Sequence, residues 1–424
     1  MVATPSALLS TPQPPPTLLL LPLLLLCAAT AAPTPTTTPL LSAAHSTLEL
    51  SQARSDLGAA AAGGAAVFGG GCSGGSSSGG SLGGGCLSPS AVVDVLRPSR
   101  ADPRVFEVSQ STSTGALSEG RGWATTCSFG PAQEWVAFFG GATKSAGSRT
   151  LDLYSATTGA LRTNTAPIEG LGRWGTSCAP FGDGSHIVFA GGKHWPIMAK
   201  GVYVLPAPGP NASAPAPAMA VAPFSLSEAR EDCGAVSYGA QGALFVGGWV
   251  SNREPGNPSV AVDAFDFDSS SPSHGHSAWP AGTLNAPGKL QEWVGAVAWN
   301  ASTVFVADAT TLYEVNTERQ LQGLDPPTKR PLPAAVASAA GIPAARLQQN
   351  GVRVPGAVCF YASAPSSALV CWSPPSSAWQ TLLCNETHVA GAITAVGNVV
   401  LVGGGYRADD KTVTAMVDVF AFSE

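Results

Sequence analysis

Charge is scarce in this chain. Of 424 residues only 11% are Asp, Glu, Lys or Arg, and the 21 basic and 27 acidic side chains form no long run of one sign. A sequence of this kind has no phosphate-tracking stripe, so no nucleic acid partner is expected. Beyond residue 32 no apolar run approaches the roughly 20 residues that cross a bilayer, and no membrane span is expected. Convincing cofactor loops are missing too. Gly69-x-Gly71-x-x-Gly74 fits a dinucleotide fingerprint and Gly71-x-Ser73-x-Gly75 a nucleophile elbow, but both chemistries require a helix directly after the turn. More Gly and Ser follow instead, so the segment reads as a flexible loop, and no catalytic residue, metal ligand or cofactor is assigned.

What is present begins at the N-terminus. Residues 17 to 32, TLLLLPLLLLCAATAA, form an apolar run closing on small residues, with Ala29-Thr30-Ala31 in the pattern of a signal peptidase site. Residues 1–31 are therefore expected to be a secretory signal, 32–45 a Pro/Thr-rich leader, and 46–424 the folded domain. No Lys or Arg precedes the apolar run, so the amino terminus must supply the positive charge of the signal. Three acceptor sequons, at Asn211, Asn300 and Asn385, fit an extracellular glycoprotein. Removing Cys27 with the signal leaves eight cysteines, an even number suited to an oxidising compartment. Cys72 with Cys86, and Cys371 with Cys384, are the pairs expected to bridge. Cys127, Cys178 and Cys233 occupy matching places and are either bridged or small buried fillers.

A repeat runs through the rest. An apolar run ending in paired glycines recurs as AAVFGGG (65–71), EWVAFFGG (134–141), SHIVFAGG (185–192), GALFVGGW (242–249) and NVVLVGGG (398–405), with degenerate copies TVFVADA (303–309) and GAVCFYA (356–362). Each follows a small-residue strand such as WATTCSF or WGTSCAP, and precedes an alternating one such as AVVDVL, TLDLYSA, VAVDAFDF or MVDVFAF. Four short strands recurring about every fifty residues describe a four-stranded antiparallel sheet repeated around an axis. The second strand is apolar throughout, as expected of a strand sandwiched between neighbouring sheets. Its glycines permit positive φ where the chain leaves it. The inner strand is rich in Ala, Gly, Ser and Thr because space narrows toward the axis.

This pattern resembles the kelch repeat over nearly the whole mature chain. The resemblance implies an all-β propeller of seven blades, starting near residues 57, 123, 174, 232, 293, 334 and 389. Six is the alternative count, because blades five and six lack Gly-Gly, and the Ala-rich segment 333–349 is open to a helical reading. Only three strands of the last blade precede the C-terminus, so STLELS (46–51) is expected to supply the fourth and close the ring.

RWGTSCAPFGDGSHIVFAGG (173–192) is also similar to a blade of secreted galactose and glyoxal oxidases. That likeness implies a copper centre of two tyrosines and two histidines, one tyrosine cross-linked to a cysteine, oxidising an alcohol or aldehyde. The adjacent Tyr-His pair of that family is absent. His45 precedes the ring, while His186, His274 and His276 are expected in loops on the far face. Only His194, His388 and Tyr406 are left on the near one. A divergent copper-radical oxidase is thus the alternative function.

The primary expectation is a secreted, non-catalytic scaffold that binds a protein or glycan. In a four-stranded blade the loops between strands two and three share a face with the connections between blades. That face collects Arg121, Arg173, Arg230 and Arg353 ahead of or on the inner strands, and Lys193, His194, Trp195, Trp249, Arg253, Tyr406 and Arg407 from the longer loops. Arg forks and aromatic rings anchor interfaces and stack on sugars, which makes these the candidate ligand-binding residues. For Trp123 and Trp174, at matching positions, locking of blade to blade is the favoured role.

Overall fold

The computed structural model describes residues 43–423 apart from 75–85, 110–114, 164–171, 195–196, 210–217, 251–257, 269–274, 279–293, 309, 322–325, 334–350, 364–366 and 408–411. The chain divides into a short unit, Met1–Thr38, and a second, Pro39–Glu424, to which all described residues belong.

Seven four-stranded antiparallel sheets follow one another along the chain. Their inner strands are Gly58–Ala62, Thr125–Phe129, Trp174–Phe181, Gly234–Tyr238, Gly295–Ala298, Val352–Val354 and Ala392–Val396. The second strands are Ala65–Gly69, Trp135–Phe139, His186–His194, Gly242–Val246, Thr303–Ala307, Ala357–Ala362 and Val399–Gly403. These are the apolar runs that the repeat singles out, including the two without Gly-Gly, and the blade count is seven. The inner strand of blade six starts at Val352, later than the expected 334, and most of the Ala-rich segment lies outside the described residues.

One buried apolar cluster fills each of the seven interfaces between blades. Blade two shows why its second strand cannot alternate. Val136 and Phe138 pack toward blade one, while Trp135, Ala137 and Phe139 pack toward blade three. Both faces of the strand are thus interior, and a polar residue on either would be buried without partners.

The paired glycines have a specific task. Gly191 and Gly192 take φ of 73° and 91°, and the Gly192 N–H donates to the carbonyl of Arg230 in the next blade at 2.9 Å. Gly71 to Arg121, Gly141 to Arg173 and Gly405 to Arg54 repeat the bond at 2.8, 2.7 and 2.8 Å. A Cβ on Gly191 would stand 2.4 Å from the Arg230 carbonyl oxygen, so the preceding glycine is required by contact as well as by φ.

The ring closes as the unpaired edge requires. Ala43–Glu49 pairs with Met416–Phe422, which supplies the outer strand of blade seven from the other end of the chain. This strand begins three residues before the expected STLELS, and it takes His45 into the blade where the sequence placed that residue ahead of the ring.

Three disulfides are formed: Cys72–Cys86, Cys127–Cys178 and Cys359–Cys371. The first is as expected, and the second joins the inner strands of blades two and three. The expected Cys371–Cys384 pair is not formed. Strand register places Cys359 directly opposite Cys371, while Cys371 faces Gln380 on its other side. Cys384 and the buried Cys233 are free thiols.

Candidate functional site

Ahead of four inner strands the chain repeats one short phrase: Leu50-Ser-Gln-Ala-Arg54, Leu117-Ser-Glu-Gly-Arg121, Leu226-Ser-Glu-Ala-Arg230 and Cys384-Asn-Glu-Thr-His388. Its last residue, Arg or His, reaches an Asp on the third strand of the same blade. Arg54 meets Asp94 at 2.5 Å, Arg121 meets Asp152 at 2.7 Å, Arg230 meets Asp263 at 2.5 Å and His388 meets Asp418 at 2.7 Å. The N–H of the second residue donates to the same carboxylate, from Ser51, Ser118, Ser227 and Asn385 at 3.3, 2.9, 2.9 and 3.0 Å. The third residue accepts from a hydroxyl four positions before that Asp: Ser90 to Gln52, Ser148 to Glu119, Ser259 to Glu228 and Thr414 to Glu386. None of the four aspartates or their Arg and His partners has an exposed side chain.

Arg121 and Arg230, expected on the ligand-binding face, are therefore framework residues. An unpaired Asp in those interiors would be costly, and a guanidinium with fixed charge removes that cost. Sequence reasoning missed both the phrase and its Asp, although the L-S-[QE]-x-R spelling was available as a signal.

Blade three lacks the pair. The third-strand position that holds Asp in blades one, two, four and seven is Tyr203, which pairs with Phe189 on the second strand. Arg173 lies over its ring with the guanidinium carbon 4.9 Å from the centroid. Trp174 sits opposite Lys193 across the inner pair of strands. Lys193 Nζ meets Glu231 Oε1 of blade four at 3.2 Å, and Glu231 in turn bridges to Trp249 through the backbone. Trp174, Lys193, Glu231 and Trp249 thus form one chain of neighbours across two blades. The Lys193 and Glu231 side chains are 13% and 11% exposed, and both tryptophans are half-buried. Burial pushes the Glu231 carboxyl above its ordinary value, and the Lys193 ammonium opposes that rise.

His194 borders this group, its Nδ1 3.1 Å from the Gly172 carbonyl. Tyr406 is half-buried in blade seven, where exposed Arg407 meets Glu386 at 2.5 Å. Arg353 is exposed over the ring of Trp299 at 5.3 Å. Trp195, Arg253 and Asn211 lie outside the described residues. Asn300 and Asn385 are exposed. A cavity of about 70 Å³ is lined by residues at the inner strands of blades seven, one, two and three, among them Gly58, Thr125, Ser177, Cys178 and Ile393. It is small beside the ~300–1,000 Å³ of sites that enclose small molecules.

The histidines are distributed differently from the sequence reading. His45 and His276 both lie on outer strands, stacked on Phe420 and Phe265, and reach Asp418 and Asp263. His388 is fully buried, with Nδ1 at 2.7 Å from the Gly404 carbonyl and Nε2 on Asp418. His388 is thus committed inside blade seven and does not face an open surface with Tyr406.

The fold is a seven-bladed propeller built on four-stranded antiparallel blades, with a mixed aromatic and charged, largely buried group on blades three and four. No protein-family model matches the chain, and no curated protein matches it. Among solved structures it is similar to one titled "Structure of YjhT", at a TM-score of 0.49 and 12% identity, covering 89% of this chain and 99% of that one.

Proposed function

We propose that the protein is a secreted, N-glycosylated propeller of kelch type that acts as a binding scaffold for a protein or glycan ligand. The observation that carries this reading is the contiguous set Trp174, Lys193, Glu231 and Trp249, where a partly desolvated ion pair has the two tryptophans as cross-strand backbone partners. In a chain so poor in charge, this is the chemistry that anchors interfaces and stacks on sugar rings. Three disulfides support an oxidising destination, and exposed Asn300 and Asn385 are open to glycosylation. Arg407 and Tyr406 extend the same kind of surface at blade seven.

The test is a printed array of glycans and extracellular proteins, probed with labelled protein. A ligand whose binding falls at least tenfold on replacing Trp174 and Trp249 together by Ala supports the site. Binding that survives the double replacement moves the site elsewhere, and a completely blank array contradicts this class of ligand.

A further inference from the structure

Blade seven breaks the repeated framework at two positions at once. Where three blades place Leu50, Leu117 and Leu226, it has Cys384; where they place Arg54, Arg121 and Arg230, it has His388. Both substitutions bring in metal-ligating side chains, and both converge on the repeat's conserved partner, here Asp418. The Cys384 thiol, the His388 imidazole and the Asp418 carboxylate lie within 4.8 Å of one another. His45, on the strand that closes the ring, adds its Nε2 at 2.6 Å from the other Asp418 oxygen. From this coincidence we infer that Cys384, His388 and Asp418 form a binding site for a zinc-type divalent cation in blade seven, with His45 of the closing strand holding the second Asp418 oxygen.

Three physical points favour the ion. The first is the orientation of His388. Its Nδ1 faces the Gly404 carbonyl at 2.7 Å and its Nε2 faces Asp418 at 2.7 Å, so the Nε2 edge of the ring is turned to the carboxylate. With the proton on Nδ1 the Gly404 bond is kept and the Nε2 lone pair is free for a metal. An outward N–H held by a backbone carbonyl is the usual setting of a ligating histidine. The second is charge. In blades one, two and four a guanidinium neutralises the buried Asp; here a divalent ion would offset one thiolate and one carboxylate. The third is ligand type. Thiolate, imidazole and carboxylate in a C-x3-H spacing suit tetrahedral zinc, with the Asp418 side fixed in advance by the Asn385 N–H. Binding releases the Cys384 thiol proton to solvent, and the metal–sulfur bond takes its place.

The consequence is a clamp. Cys384 and His388 precede the inner strand of blade seven and Asp418 is on its third strand, so one ion ties the lead-in to the strand that pairs with the ring-closing Ala43–Glu49, whose His45 holds the other Asp418 oxygen. This holds whether or not the surface on blades three and four binds a ligand.

Cobalt(II) and zinc(II) are the probes, used on purified full chain with its disulfides intact. The wild-type protein is expected to take up one Co²⁺ per chain with tetrahedral d–d and thiolate charge-transfer absorption, to exchange it for Zn²⁺, and to lose several degrees of thermal midpoint on chelation. Cys384→Leu combined with His388→Arg rebuilds the phrase of the other three blades, so it is expected to fold, bind no metal and ignore the chelator. Equal metal uptake by the wild type and this variant overturns the inference. So does a wild type that shows no cobalt signature and whose midpoint ignores the chelator.

Discussion

Arg121 and Asp152 meet at 2.7 Å with neither side chain exposed, joining the lead-in of blade two to its third strand. Removing one member strands the other in an apolar interior. Arg121→Ala is expected to cost about 3–5 kcal/mol of stability, whereas Arg121→Leu with Asp152→Leu costs less than the sum of the two single changes. Urea unfolding of the three variants checks this.

The disulfides differ in the length of chain they close. Cys127–Cys178 spans 51 residues and Cys359–Cys371 spans 12. Loop-closure entropy then assigns about 4 kcal/mol to the first and about 3 kcal/mol to the second. Paired Cys→Ala variants are expected to unfold in that order, and a non-reducing peptide map should recover Cys384 outside every disulfide.

Gly191 and Gly64 have the same φ, 73° and 74°, but different surroundings. A Cβ at Gly64 meets nothing within 4 Å. Gly64→Ala is expected to cost about 1 kcal/mol, from φ alone. Gly191→Ala adds a clash with the Arg230 carbonyl, and is expected to cost about 3 kcal/mol or more. The two denaturation midpoints measured side by side separate strain from contact.

Glu231 gives the candidate surface a pH signature. Because burial raises its folded pKa above the ordinary 4.5, with Lys193 opposing, the protonated form is the one that folding favours. Its contribution to stability is complete below the unfolded pKa and is lost as pH rises through the folded value. The thermal midpoint of the wild type relative to Glu231→Gln is thus expected to fall as pH climbs from 4.5 toward neutrality. A difference that does not vary with pH contradicts the burial of this carboxylate. Ligand binding that uses the Lys193–Glu231 pair should strengthen over the same range, since the pair forms only when Glu231 is ionised.

Most of the fold could be read from residues, because its cause is local. The Gly-Gly at 191–192 and the doubly apolar 135–139 run are answers to close backbone approach and to burial on both faces, and both show in a short window. The candidate site was harder. Arg121 and Arg230 look like surface residues because arginine is usually exposed, and each finds its Asp 31 to 33 residues later, on a strand whose register the sequence does not state. The same blindness to register gave Cys384 as the partner of Cys371, when Cys359 stands directly across. His45 was assigned to a leader because its contact with Asp418 spans 373 residues. The patch on blades three and four was legible only in part. Lys193 and Trp249 were chosen for their loops, but their union through Glu231 needs two adjacent blades in place.

The protein separates a fully buried framework from a half-buried recognition surface, and a crossed measurement tests that division most directly. Arg121→Ala and the Trp174→Ala, Trp249→Ala double variant are each measured for thermal midpoint and, below that midpoint, for affinity toward an array-identified ligand. The framework change should lower the midpoint and leave affinity unaltered, while the surface change should reduce affinity at least tenfold and leave the midpoint in place. Affinity lost on Arg121→Ala in the folded protein, or unaffected by the double replacement, contradicts the division.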